Sequence, residues 1–265
     1  MSQSSSGNTT ELSELLFELA NADRLALLLQ VATKEQRMSS LSKAIDASVP
    51  ECSRHLSRLT SLGLVRKNSE GLYGTTVMGS TILRLLPGMN VVVQHKEYFK
   101  SHDLSELPVG FTQRIGALSQ AEYRSHFSEV LDRIKSTVTE AKEYSCLMVD
   151  KPILVGNVDV TDFASKQLPA RFIFEEGIHH RVLTSVKAAY PRSELALGKN
   201  VKIALGVTEK SAGVIFPTAD GKLDFGSGFF GEDRLFREWC QDLFEYMWAR
   251  SQKVHYVPPF FQSPF

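Results

Sequence analysis

The sequence predicts two domains: an N-terminal α+β module of short helices closed by a β-hairpin, then an α/β domain. Three observations carry this. Ala47 to Val65 reads as one capped helix with a buried side, a glycine stop and an apolar strand. Helical periods precede that run, and a polar, Gly-bearing turn follows it. In the second half, apolar runs of strand length alternate with helical stretches.

The elements follow in order. Met1 to Thr10 is rich in Ser, Asn and Thr, so residues 1–9 are expected to form a flexible tail. Glu11 to Ala20 carries the stripe Leu12, Leu15, Leu16, Leu19, and Ala22 to Ala32 resumes as a strongly apolar core helix. A short helix runs from Ser39 or Ser40 to Ile45. Ser48 to Leu62 follows, with Ser48 as its cap and Pro50 in the first turn, where a missing N–H costs nothing. At about 100° per residue, Cys52, Leu56 and Leu59 share one face, while Pro50, Arg54, Ser57, Arg58 and Ser61 share the other. Gly63 supplies a left-handed stop. Leu64–Lys67 and Leu72–Thr75 then form a hairpin, and Thr76 to Leu86 a helix stopped by Pro87-Gly88. This order is that of a winged helix-turn-helix over residues 10–88, with the hairpin as the wing.

Residues 89–119 are expected to be a helical connector, with a helix over Val91 to Phe99. Residues 120–251 form the α/β domain, opening on a long amphipathic helix from Ala121 to Glu143 with Tyr123, Phe127 and Val130 at helical spacing. Strand-length runs follow at Tyr144–Val149, Arg171–Phe174, Val201–Val207 and Gly213–Phe216. A tight turn at Ala219–Lys222 leads to a final helix, Asp233 to Ser251, with Leu235, Phe236, Trp239 and Leu243 on one face. Residues 252–265 form a Pro/Phe-rich tail.

Among 265 residues, 30 basic and 30 acidic side chains balance to zero, so any attraction to nucleic acid must be local. From Cys52 to Ser69 there are four Arg or Lys and no Asp or Glu. A helix with small polar and basic residues on its free face suits the DNA major groove, meeting base edges without bulk and phosphates with charge. The competing reading is a merely solvated basic face. Three scattered cysteines indicate a reducing compartment and no zinc spacing. No apolar run approaches the roughly 20 residues of a membrane helix, and no signal peptide opens the chain, so a cytoplasmic protein is expected.

Several local runs resemble archaeal winged-helix regulators of the methanogenesis regulatory protein type. They are Leu16-Phe17-Glu18-Leu19-Ala20 with Arg24, Ser53 to Leu59 with Leu62-Gly63-Leu64-Val65, and Tyr98 to Leu104. Val201 to Leu205 with Ala212 to Phe216, and Trp239 to Tyr246, extend the likeness over nearly the whole chain. The resemblance implies a transcription regulator, homodimeric, whose C-terminal domain senses a small-molecule effector or a partner. Alignment with winged-helix regulators places Val49, Pro50, Glu51, Ser53 and Arg54 at base edges of duplex DNA, with Arg54 the candidate for guanine and the capping Ser48 counted with the DNA-binding residues. Ser57, Arg58 and Lys67 are assigned to phosphates. Glu51 is awkward there, since it either accepts from a cytosine amino group or repels the backbone. Glu11–Ala20 and Val91–Phe99 are the expected dimer elements.

Four other features have competing readings. Gly226-Ser227-Gly228-Phe229-Phe230-Gly231 matches G-x-G-x-x-G, but no second parallel strand follows its helix, so no dinucleotide cofactor is expected. The sensor domain can resemble the phospholipase D fold; of its H-x-K-x4-D motif only Lys202 fits, with Asn200 and Val207 in the other places, so no catalytic residue is assigned. His179-His180 beside Glu175-Glu176 reads as surface or capping, not as a metal site. Phe216, Phe229 and Trp239 are either plain core or the lining of a ligand pocket. Rival functions are a small-metabolite enzyme, which lacks a convergent catalytic set, and a winged helix that docks proteins.

Overall fold

The computed structural model describes residues 4–151 and 168–255, and the chain divides into two compact units, Met1–Leu86 and Pro87–Phe265. The first unit holds α1 (Ser4–Leu19), α2 (Ala22–Thr33), α3 (Met38–Ala44), α4 (Val49–Ser61), β1 (Val65–Lys67), β2 (Tyr73–Thr75) and the start of α5 (Val77–Gln94). α1 begins within the residues expected to be tail. Its stripe splits: Leu15 and Leu19 are buried, while Leu12, Leu16 and Phe17 are exposed. The core gathers Leu27, Leu28 and Val31 of α2, Leu41 of α3, and Cys52, Leu56 and Leu59 of α4.

Pro87-Gly88 does not stop α5, contrary to expectation, and Pro87 lies inside it. A mid-helix proline costs about 3 kcal/mol. Apolar anchors offset that cost at both ends of α5, Leu83 in the first unit's core and Val91 in the second's. Gly116 is needed for its size beside this helix: a Cβ on it would lie 2.9 Å from the Gly88 nitrogen, whereas a Cβ on Gly88 would meet nothing closer than 3.6 Å.

The second unit continues with α6 (Lys96–Ser101), α7 (Val109–Gln113), a 3-10 turn (Ile115–Gln120), β3 (Glu122–Arg124), α8 (Phe127–Thr139), β4 (Ser145–Met148) and β5 (Ala170–Glu175). It ends with α9 (His180–Ala189), β6 (Ser193–Gly198), β7 (Ala204–Thr208), β8 (Ala212–Ile215), β9 (Gly228–Gly231), α10 (Arg234–Arg250) and β10 (Gln252–Val254). The eight strands form one sheet in the order β10-β6-β5-β4-β7-β8-β9-β3. Only β4, β5 and β6 run parallel. Residues 89–119 are not a separate connector: Val91, Tyr98, Leu107, Phe111, Ile115 and Leu118 are buried in this domain's main core. The helix expected from Ala121 is broken, because Tyr123 lies on the edge strand β3 opposite Phe229, and α8 starts only at Phe127. Leu235, expected on the buried face of α10, is exposed. Of the expected tail, Gln252 to Val254 pairs with β6 as an edge strand, and residues 256–265 lie outside the described residues.

Side-chain alternation gives the sheet two apolar faces. Cys146, Met148, Ile173, Leu205, Val207 and Val214 meet α10, while Leu147, Phe172, Phe174, Ala204 and Ile215 face α8 and α9. The Tyr98–Leu104 run is tied into the first face. His102, nearly buried and stacked on the Tyr98 ring at 3.6 Å, has its Nε2 3.2 Å from Asp224. The Tyr98 hydroxyl accepts from the Phe216 N–H at 3.1 Å, and burial pushes its pKa well above the ordinary phenol value.

Candidate nucleic-acid interface

α4 is held by its two ends and one face. At the N-terminus Ser48 and Glu51 form a reciprocal cap: the Glu51 N–H donates to Ser48 Oγ, and the Ser48 N–H and hydroxyl donate to Glu51 Oε2 at 3.1 and 2.7 Å. Those bonds hold the Glu51 carboxyl below its usual pKa. Gly63, at φ 71°, closes the C-terminus, with Leu64 N–H donating to Leu59 O. Cys52, Leu56 and Leu59 are fully or almost fully buried, so α4 has one rotational setting.

That setting exposes Val49, Pro50, Glu51, Ser53, Arg54, Ser57 and Arg58. Ser48 and Glu51 are engaged with each other in the cap, which explains an acidic residue at this edge. Arg54 carries no ion pair or side-chain hydrogen bond among the described residues. Arg58 donates to Glu18 at 2.7 Å, and the same carboxylate lies 3.0 Å from the buried Arg24. The sequence reading missed this link, because Glu18 lies 40 residues from Arg58 and no local pattern joins them.

Lys67 is exposed on β1, its ammonium 5.5 Å from the centre of the Tyr73 ring. The wing is fastened at its base by Glu35, which accepts from Arg66 and from Asn68, each at 2.7 Å. Gln36 pairs with Tyr73 beside it. Asn68 in turn accepts from the Glu70 and Leu72 N–H groups, and Gly71 takes φ 79°. The arrangement presents a rigid helix face with one uncommitted guanidinium, and beside it a hairpin bearing an exposed ammonium. It can meet an anionic duplex by base edge and by phosphate.

The remaining sequence candidates resolve differently. Phe216, Phe229 and Trp239 are completely buried in the main core on the α10 side, the Trp239 indole N–H donating to Phe111 O at 3.1 Å. The G-x-G-x-x-G run is no phosphate loop, since Gly228 to Gly231 is itself the strand β9. A Cβ on Gly228 would lie 2.8 Å from Ile215, so that glycine serves sheet packing. Lys202 and Asn200 both reach Glu106, at 3.4 and 2.9 Å. His179 caps α9, accepting from the Arg181 N–H at 3.2 Å. His55 lies 3.8 Å from Asp23, and Cys52 packs in the core instead of pairing with it.

Comparison with known proteins fits this geometry. Residues 21–67 match the bacterial regulatory protein, arsR family. The methanogenesis regulatory protein FilR1 of Methanothrix harundinacea (strain 6Ac) is 24% identical over 216 residues, covering 74% of this chain and 45% of the relative. The chain thus spans about half the length of that relative. Among solved structures, the archaeal chromatin protein TrmBL2 aligns at TM-score 0.41 and 11% identity, over 88% of this chain and 94% of its own. The homodimeric winged helix-turn-helix DNA-binding domain Mb0332 from Mycobacterium bovis aligns at TM-score 0.32 and 26% identity, over 36% and 88% respectively. The chain carries a winged helix-turn-helix at its N-terminus, of which residues 21–67 match the ArsR family model, followed by a mixed α/β domain built on one large sheet.

Proposed function

We propose that this protein is a transcription regulator that binds duplex DNA through α4 and its wing, and is a binding protein and not an enzyme. The observation that carries the reading is the exposed α4 face, with small residues around an uncommitted Arg54. Arg54 reads guanine through its two-pronged guanidinium. Ser57, Arg58 and Lys67 hold phosphates and set register. Arg58 reaches a phosphate only by leaving Glu18, whose carboxylate is mostly buried and also holds Arg24, so it contributes less than Arg54.

The test uses duplexes that the protein itself selects from a random pool. Arg54→Ala is expected to weaken the selected duplex about tenfold or more and to relax preference at one base pair. Arg58→Ala is expected to weaken all duplexes by a similar, smaller factor and to flatten the salt dependence. Unchanged gel-shift affinity in the double variant would end the DNA-reading assignment. Binding that ignored salt and retained no DNA would favour a protein-docking winged helix.

The protein acts as a homodimer in the cytoplasm, with two recognition helices in successive major grooves, roughly 34 Å apart. Leu12, Leu16 and Phe17 on α1 and Leu85 on α5 offer the exposed apolar surface such pairing needs. Val91 and Tyr98, on the second expected dimer element, are spent on the core instead. Phe17→Glu is expected to shift the chain to monomer in sedimentation and to weaken DNA binding with it. A monomeric wild-type protein would remove the dimer from the proposal. The α/β domain senses an effector that shifts the population of binding-competent dimers.

A further inference from the structure

We infer that the α/β domain binds a small, mostly apolar molecule bearing one hydrogen-bonding oxygen, in a cavity between α8, α9 and the sheet. This deepens the regulator reading by naming the ligand class its second domain takes. The cavity measures about 140 Å³ and lies on the sheet face opposite Trp239. It is bounded by Leu131 and Ile134 of α8, Val186 of α9, and Leu147, Phe172 and Phe230 of the sheet. An engineered apolar cavity of about 150 Å³ stays dry and takes up benzene, so one ring fits here.

Two features mark the space as built. Its floor is a cross-strand pair of glycines, Gly206 on β7 opposite Gly213 on β8. Glycine in a strand interior weakens it relative to alanine. The two positions differ. A Cβ on Gly213 would strike the Phe230 ring at 2.5 Å, so that glycine serves packing. At Gly206 the nearest atoms to a Cβ are Leu147 Cδ1 at 3.8 Å and Thr137 Cγ2 at 3.9 Å, so a side chain fits. It would occupy the cavity. The second feature is polar. Thr137 and Ser145 line the space, each more than nine-tenths buried, and neither hydroxyl has a hydrogen-bond partner among the described residues. Buried hydroxyls are normally satisfied, and a ligand oxygen would satisfy these.

Phenol and toluene are near-isosteric probes that differ in that one oxygen. Uptake by the full chain, read by calorimetry without DNA, is expected for both, with phenol the tighter. Gly206→Leu is expected to lower phenol affinity at least tenfold. Thr137→Val with Ser145→Ala keeps the cavity, and is expected to weaken phenol about three- to tenfold while leaving toluene within twofold. That double variant tests the proposal even if the leucine disturbs folding. No uptake of either probe, unchanged phenol affinity in Gly206→Leu, or equal losses for both probes in the double variant would each overturn it. Because DNA is absent from the assay, these failures are separate from any failure of α4 to bind a duplex.

Discussion

Gly79→Ala is expected to destabilise the winged domain by about 3 kcal/mol or more and to abolish duplex binding at ordinary temperature. Gly79 sits in the first turn of α5, where its N–H donates to Thr76 Oγ1 at 3.0 Å. A Cβ there would lie 2.1 Å from the Leu64 carbonyl oxygen and 3.0 Å from its carbon. Both are backbone atoms, so no rotamer can relieve the contact. That carbonyl is also fixed, because it accepts the Thr76 N–H at 3.0 Å, while the Thr76 hydroxyl donates to Gly63 O at 2.5 Å. The clash must therefore move α5 by about an ångström or unpick the junction of α4, Gly63 and β1. Overpacking a close-packed site costs roughly 1–3 kcal/mol, and more where backbone is the obstacle. Gly110→Ala, with nothing within 4 Å of its Cβ, is the matched control. Urea unfolding of both variants decides the matter: similar midpoints for the two would mean that α5 does not rest on Leu64 as described.

What was legible in the sequence follows from how far each signal reaches. Ser48, Pro50 and Gly63 act on their own turn of chain, so the limits of α4 were readable, and its buried stripe follows from a 3.6-residue period. Tyr123 was misread because four residues separate it from Phe127, which mimics a helical period, whereas a three-residue edge strand leaves no period to detect. Pro87 is a strong local stop that was overridden by distant packing at Leu83 and Val91. For the site, the exposed face of α4 was legible, but the commitment of Arg58 to Glu18 and of the wing to Glu35 was not, since those pairs span 40 and 31 residues. Aromatic spacing says that Phe216, Phe229 and Trp239 are buried, but only alternation across a known strand order says against what. Gly206 and Gly213 were the better signal, two glycines inside otherwise apolar strands.

The two assignments of Trp239 make opposite demands. As a pocket wall, Trp239→Ala would enlarge a ligand site at little cost in stability. As core, it removes a completely buried indole that makes edge contacts with Phe111 and Phe216 at centroid distances of 5.7 and 6.5 Å. It also removes the indole N–H from the Phe111 carbonyl, which keeps the Arg114 N–H at 3.1 Å. Truncating a buried tryptophan costs about 3–5 kcal/mol. Domains of this kind are stable by only about 5–15 kcal/mol, so the α/β domain should lose a large share of its stability. Trp239→Phe keeps most of the volume and loses only the hydrogen bond, so it should fall between wild type and alanine. A drop below about 1 kcal/mol for Trp239→Ala in denaturant unfolding would contradict the buried-core placement. Trp239→Ala, studied below its unfolding midpoint, should still take up phenol, because the cavity opens on the other face of the sheet and Trp239 is not among its lining residues.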